Sequence, residues 1–299
     1  MIRRISRKTE YILIGLFAAI LIAVLLLLWR SHNKSKPDAL PPLTTTILKV
    51  GKADAIVIRE GAHTMLIDCG EEDDGQEVID FLTNRNIEKV DVLIITHYDK
   101  DHVGGADQLI EQIPVERILL PDYKGASTEY FDFVAAMKRA NLTPEVLTDD
   151  VTFSFGSAEV LVSPSHLMDH EEATNAVAAG FDIDNNLSLI TMMTHGQNRM
   201  LFTGDAEKER IREWCSSDNA KTCAFLKLPH HGVYNTALAE LLETVKPQYS
   251  VICDSAKNPA SADTLETLKL YGVDVLETKN GKITITSDGI DLYLKQKVK

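Results

Sequence analysis

Within six residues the chain places four side chains able to bind a metal: His97, Asp99, Asp101 and His102, in Thr96-His97-Tyr98-Asp99-Lys100-Asp101-His102. The apolar run Val92-Leu93-Ile94-Ile95 precedes this stretch and Val103-Gly104-Gly105 follows it, so the loop sits where a buried strand ends. In an extended or turning backbone, His97 and Asp99 fall on one side and Asp101 and His102 on the other, and two ions can share the loop. A polar turn that only caps the next helix needs one such residue, not four. Two imidazoles and two carboxylates suit a borderline or hard divalent ion such as zinc or manganese. An open position on that ion would acidify bound water and make it a nucleophile near neutral pH. The two glycines are expected to let the backbone bend tightly into a helix.

The elements that must position this loop belong to a 299-residue chain, long enough for one sizeable domain plus an attachment. Residues 1–10 form a basic tail with Arg3, Arg4, Arg7 and Lys8, and Tyr11 to Trp29 then runs without a charge. As a helix that run spans about 28 Å, which predicts a single crossing of the lipid bilayer by residues 11–29. No small-x-small cleavage site follows it, so it reads as an anchor, not a removed signal peptide. The short basic N-terminus points to the cytoplasm and places the main domain outside it, at the cell membrane. Residues 30–45, with Pro37, Pro41 and Pro42, read as a tether, and 46–299 as the domain. Beyond residue 36 the chain holds 24 basic and 43 acidic residues, a formal charge of −19. An acidic body disfavours a broad nucleic-acid footprint, while a local basic groove or a bound metal can still receive a phosphate.

Strands are predicted at 46–50, 55–59 and 64–67, followed by a helix over 76–84 and the strand that delivers the metal-type loop. Tyr130, Phe133, Val134 and Met137 make an amphipathic helix of 127–140, whose stripe is core. Residues 169–186 read as a polar loop. A hairpin of 187–194 with 200–203 ends at Gly204-Asp205, and a strand over 224–228 ends at Pro229-His230-His231-Gly232. Later helices at 236–245 and 262–271 alternate with strands, and a hairpin closes the chain. Two strand-rich halves with metal-type loops at their strand ends predict helices packed on two sheets.

The order His97-x-Asp99-x-Asp101-His102, Gly204-Asp205 and His230-His231-Gly232 resembles the metallo-β-lactamase fold. Asp99, in place of a second histidine, and Asn185-Asn186-Leu187-Ser188, where a ligand histidine often stands, resemble the hydrolase domain of ComEC-type competence proteins. The resemblance covers residues 46–294. It implies an α/β (α+β) αββα sandwich with two divalent ions, zinc or manganese. His97 and Asp99 would hold one ion, Asp101, His102 and either His230 or His231 the other, with Asp205 bridging. Asp101 and Asp205 would orient the nucleophile, and Asn186 and Asp68 would contact substrate or metal. Oxygen-rich ligation at the first ion favours manganese relative to zinc. The chain departs from the family pattern at Val50-Gly51-Lys52-Ala53-Asp54-Ala55 and at Asn258-Pro259-Ala260-Ser261-Ala262, where Tyr-Gly-His-Pro is usual.

His63, His166, His170 and His195 read as solvated turn residues, Asp68 as an orienting group beside the metal loop, and Asp54 as site support or an ordinary turn. Cys215 and Cys223 flank a polar stretch that a disulfide would close. Together these residues predict a membrane-anchored, metal-dependent hydrolase. Its substrate would be a small-molecule, nucleic-acid or wall-polymer phosphodiester. The alternatives are hydrolysis of another ester or a lactam, or a degenerate surface binding module.

Overall fold

The computed structural model describes residues 16–17, 19–24 and 39–297. The basic tail, most of the 11–29 span and most of the tether lie outside them. Residues 16–17 and 19–24 are helical, and among the described residues no helix is long and apolar enough to cross a membrane. The chain divides into two units, Met1–Asp38 and Ala39–Lys299, and the second contains both sheets and every metal-type residue.

Strands β1 (Leu43–Ile47), β2 (Ala55–Glu60), β3 (His63–Cys69), β4 (Val90–Ile94), β5 (Val115–Pro121) and β6 (Glu145–Leu147) build one sheet. A second contains β7 (Val151–Phe155), β8 (Ala158–Ser163), β9 (Ile190–His195), β10 (Asn198–Phe202), β11 (Phe225–Lys227), β12 (Tyr249–Ile252) and β13 (Asp274–Glu277). The chain then returns to the first sheet with β14 (Ile283–Ser287) and β15 (Leu292–Gln296), giving the order β15-β14-β1-β2-β3-β4-β5-β6. In β14 the alternation is clean: Ile283 and Ile285 point into the space between the sheets while Thr284 and Thr286 are half-buried. There they join Ile58, Met65, Ile94, Met193 and Phe202 in the central core.

The outer faces need cover, and helices supply it. On the first sheet lie α1 (Gly75–Thr83), the single turn α2 (Lys100–Val103), α3 (Ala106–Gln112) and α4 (Thr128–Arg139), which bury Val78, Leu82, Val103, Leu109 and Phe133. The helix α5 (His170–Ala178) adds Ala173 and Val177 to the same cluster. On the second sheet α6 (Lys208–Cys215), α7 (Leu238–Val245) and α8 (Ala262–Leu270) bury Ile211, Trp214, Leu241 and Leu268. The result is a four-layered α/β sandwich with helices outside both sheets.

Several expectations change. The first strand runs from Leu43 to Ile47, not from residue 46, so the sheet begins inside the stretch that proline content assigned to a tether. The polar loop of 169–186 contains α5, whose N-cap Asp169 accepts from the Glu172 N–H; only Ala173 and Val177 are apolar enough to be buried. Cys215 and Cys223 are free thiols, Cys223 being buried in the outer core, so the disulfide does not form. His195 is fully buried, because its strand lies inside the second sheet and does not end in solvent. His63, His166 and His170 are exposed as expected. Gly104 and Gly105 serve close approach and not a left-handed bend: a Cβ at Gly104 would lie 2.5 Å from the Glu72 nitrogen, one at Gly105 2.5 Å from the Cys69 oxygen.

Candidate metal centre

Strand ends converge on one edge of the sandwich. β3 ends near Asp68, β4 leads into Thr96-His97, β10 into Gly204-Asp205 and β11 into His230-His231. Of the six non-glycine residues with positive φ among the described residues, three stand here: Asp68 at 59°, His230 at 47° and His231 at 51°. Left-handed backbone costs a β-carbon residue about 1–2 kcal/mol, and here it stands where Asp68 and His231 meet the other strand ends. Gly204, at φ 51°, is required for space as well, since a Cβ there would meet Thr96 at 2.9 Å.

Three imidazoles are held the same way. His102 Nδ1 lies 2.7 Å from Asp68 Oδ2, and His231 Nδ1 lies 2.9 Å from the Cys253 carbonyl oxygen. His97 Nδ1 lies 3.0 Å from Thr96 Oγ1, which itself donates to Asp68 Oδ2 at 2.7 Å. Each Nδ1 therefore donates its proton, and whatever the centre holds is bound at Nε2. Asp68, accepting from the Thr96 N–H, the Thr96 hydroxyl and His102, is the orienting residue that the sequence suggested.

Around these nitrogens stand two carboxylates. Asp205 Oδ1 is 3.2 Å from His102 Nε2, and Asp205 Oδ2 is 3.0 Å from His231 Nε2. Asp101 Oδ2 is 3.3 Å from the same His231 atom. Ligand atoms of Asp101, His102, Asp205 and His231 all lie within 4.8 Å of one another. The two Nε2 atoms are only 3.3 Å apart, a gap that suits one positive centre between the rings and not two N–H groups aimed at each other. Without an ion, burial opposes charge on His231, but Asp205 and Asp101 outweigh it and push its pKa up to about 9. Burial likewise disfavours the Asp101 carboxylate, yet the His231 hydrogen bond and the charges of His102 and His231 hold its pKa well below the usual range. A proton and a divalent ion compete for the same atoms, and the donor set fits the ion.

Between the two candidate histidines, the structure selects His231. His230 turns away, its Nδ1 3.2 Å from Glu207 Oε1, and burial lowers its pKa despite the nearby Asp205 charge. His97 and Asp99 make a looser pair: His97 Nε2 is 3.5 Å from Asp99 Oδ2, and is buried with no hydrogen-bond partner. That orphaned atom is the fit for a first ion, and Asp99 is 41% exposed, leaving the position open to solvent.

Asn186 does not face the centre. Its Oδ1 accepts from the Arg210 N–H at 3.2 Å, in the first turn of α6. Asn185 differs: it is buried, its Nδ2 donates to Glu207 Oε1 at 3.4 Å, and its Oδ1 has no partner. A fully buried Arg210 fixes this turn, donating to the Ser188 and Ser163 carbonyls at 3.0 and 2.6 Å. Lys227 could not be singled out from sequence, because one lysine at the end of an apolar strand carries no signal. It is fully buried, forms an ion pair with Asp54, donates to the Gly204 carbonyl at 2.9 Å and lies 3.4 Å from Asp205 Oδ1. Burial opposes its charge, and Asp54 and Asp205 hold it protonated. Asp54 is thereby a support of the site and not an ordinary turn.

Residues 48–176 match the Metallo-beta-lactamase superfamily. The chain carries a metallo-β-lactamase domain. "ComE operon protein 3" of Bacillus subtilis is 30% identical over 217 residues, covering 70% of this chain and 26% of that protein. "Recombination protein 2" of Haemophilus influenzae is 25% identical over 248 residues, 81% and 27% respectively. The chain thus spans about a quarter of the length of these curated relatives. Among solved structures, the metallo-β-lactamase fold protein YhfI from Bacillus subtilis superposes with a TM-score of 0.52 at 12% identity, over 85% of this chain and 100% of that one. This last likeness concerns the fold alone.

Proposed function

We propose that the metallo-β-lactamase domain is a dinuclear phosphodiesterase, held at the cell membrane by residues 11–29 and facing away from the cytoplasm. The observation that carries the hydrolase reading is the convergence of Asp101, His102, Asp205 and His231 within 4.8 Å, beside the unpartnered His97 Nε2. Zinc or manganese bound there would supply Lewis-acid chemistry, acidifying water and neutralising charge on a phosphoryl oxygen. The chain's own groups do the rest. Asp205, fixed between Lys227, His102 and His231, keeps both oxygens directed inward. Asp101, 19% exposed, reaches the open side, where its carboxylate can accept a hydrogen bond from the attacking water and orient it. Asn185 and His230, which meet at Glu207, can donate to a non-bridging substrate oxygen. A relative named for recombination puts a nucleic-acid strand first among candidate phosphodiesters, ahead of a wall polymer or a small molecule.

The test is metal content of the full chain purified without chelator, with hydrolysis of bis-p-nitrophenyl phosphate followed on adding manganese or zinc. About two ions per chain, and turnover lost in Asp101→Ala, are the expected results. Equal substrate binding without turnover in any divalent metal would leave a binding module instead. A reporter fused at Lys299 tests the orientation, and a cytoplasmic signal would overturn it.

A further inference from the structure

A cleft of about 660 Å³ opens beside Asp101, and four lysines line it: Lys49, Lys52, Lys100 and Lys257. For a body with a formal charge of −19 this concentration of cations is unexpected. The acids of the cleft are engaged: Asp74 accepts the Glu71 N–H at 3.0 Å, Glu71 lies 3.9 Å from Lys100, and Asp101 faces His231. Among the described residues, Lys49, Lys52 and Lys257 have no carboxylate within ion-pair distance. Lys49, Lys100 and Lys257 are exposed and Lys52 half-buried, close enough to His230 for its charge to act there. The cleft is thus continuous with the metal-type site.

The two places where the chain departs from its family pattern meet at this cleft. Lys52 belongs to Val50–Ala55, and Lys257 directly precedes Asn258-Pro259, about 200 residues later. Both segments border the same wall, with Asn258 beside Lys257. One cation within the first segment and one beside the second, at one cleft, change what is recognised beyond the reacting group and leave the metal-type residues in place.

We propose that Lys49, Lys52, Lys100 and Lys257 form a subsite for phosphates flanking the scissile one, so that the substrate is a strand of at least two phosphodiesters and not an isolated diester. Cleavage of that strand rests on the phosphodiesterase reading, whereas its binding does not. Each contact neutralising a phosphate on a single strand contributes about 0.7 to the slope of log affinity against log salt. Two lysines lost should reduce that slope by about 1.4.

The experiment is fluorescence anisotropy of a labelled phosphorothioate hexathymidylate, which resists cleavage, with the manganese-loaded full chain in detergent between about 50 and 200 mM salt. Lys52→Gln with Lys257→Gln should weaken binding about tenfold or more and flatten the salt dependence; the arginine pair should restore both, and Lys269→Gln on α8 should change neither. Parent-like affinity and slope in the glutamine pair, or no strand binding by the parent, would overturn the subsite. Hydrolysis of bis-p-nitrophenyl phosphate by the parent is measured alongside. Lysine-dependent binding without hydrolysis would sink the phosphodiesterase and keep the groove, whereas hydrolysis with lysine-independent binding would sink the groove alone.

Discussion

His102 with His231, and His195 with its serines, are two buried imidazole centres built on opposite terms. His195 Nδ1 lies 2.8 Å from Ser287 Oγ and its Nε2 3.0 Å from Ser157 Oγ, while the Ser157 hydroxyl donates to Glu60 Oε1 at 2.7 Å. Hydroxyls can donate or accept, so a neutral ring is satisfied on both edges. At the other centre each ring has one satisfied edge, and its second nitrogen faces another nitrogen and carboxylates. All three rings are buried; only the partners on the second edge separate a structural imidazole from a ligand. The pKa directions agree with this. Burial pushes His195 down, whereas the carboxylates push His231 up to about 9.

This contrast can be broken by substitution. His231→Ala should remove bound metal and lower turnover on the order of 10³-fold, since both the ligand and the order it imposes are lost. Metal analysis and kinetics on one preparation check it. Lys227→Met should destabilise the domain by about 3–5 kcal/mol, because Asp54 and Asp205 would face each other without their buried cation; denaturant unfolding of the metal-free protein reads this without interference from activity. His195→Ala should cost about 1–3 kcal/mol through unmatched Ser157 and Ser287 while leaving metal content at the parental level. Loss of metal there would erase the distinction between the centres.

The opposite pKa shifts give opposite pH dependences in metal-free protein. His231 contributes stability that is complete below its unfolded value of about 6.5 and is lost as pH rises through about 9. His195, depressed in the fold, contributes stability present above about 6.5 that is lost on acidification. Unfolding midpoints between about pH 5 and 10 should therefore lose part of their alkaline limb in a His231 variant, where His102 is raised as well, and part of their acid limb in a His195 variant. The smallest expected effect separates the two asparagines. Asn186→Ala should cost about 0.5–1.5 kcal/mol of stability with the hydrogen bond to Arg210, and Asn185→Ala should change kinetics with little change in stability.

Much of the fold is legible in the sequence because its signals are local. The apolar run before Thr96, the alternation in β14 and the amphipathic stripe of α4 each report a periodicity that the solvent boundary imposes. Where the signal is thin, it misleads: α5 has only two buried residues and resembles a loop, and β1 starts among prolines that suggest a tether. His97, Asp99, Asp101 and His102 are legible from residue type and spacing, since four potential ligands at one strand end have few other uses, whereas Asp205 is legible only through the family resemblance.

What the sequence determined by itself was this inventory of donors and their attachment to strand ends. Tertiary structure alone decided the choices between neighbours. His230 and His231 are the same residue one position apart, and left-handed backbone with the Cys253 carbonyl turned one inward and the other toward Glu207. Asn185 and Asn186 were separated by the start of α6, Lys227 became a buried counter-ion only when β2 and β11 ends met, and His195 became core only when β9 was enclosed. Each of these depends on contacts between residues far apart in the chain, and no local period records such contacts.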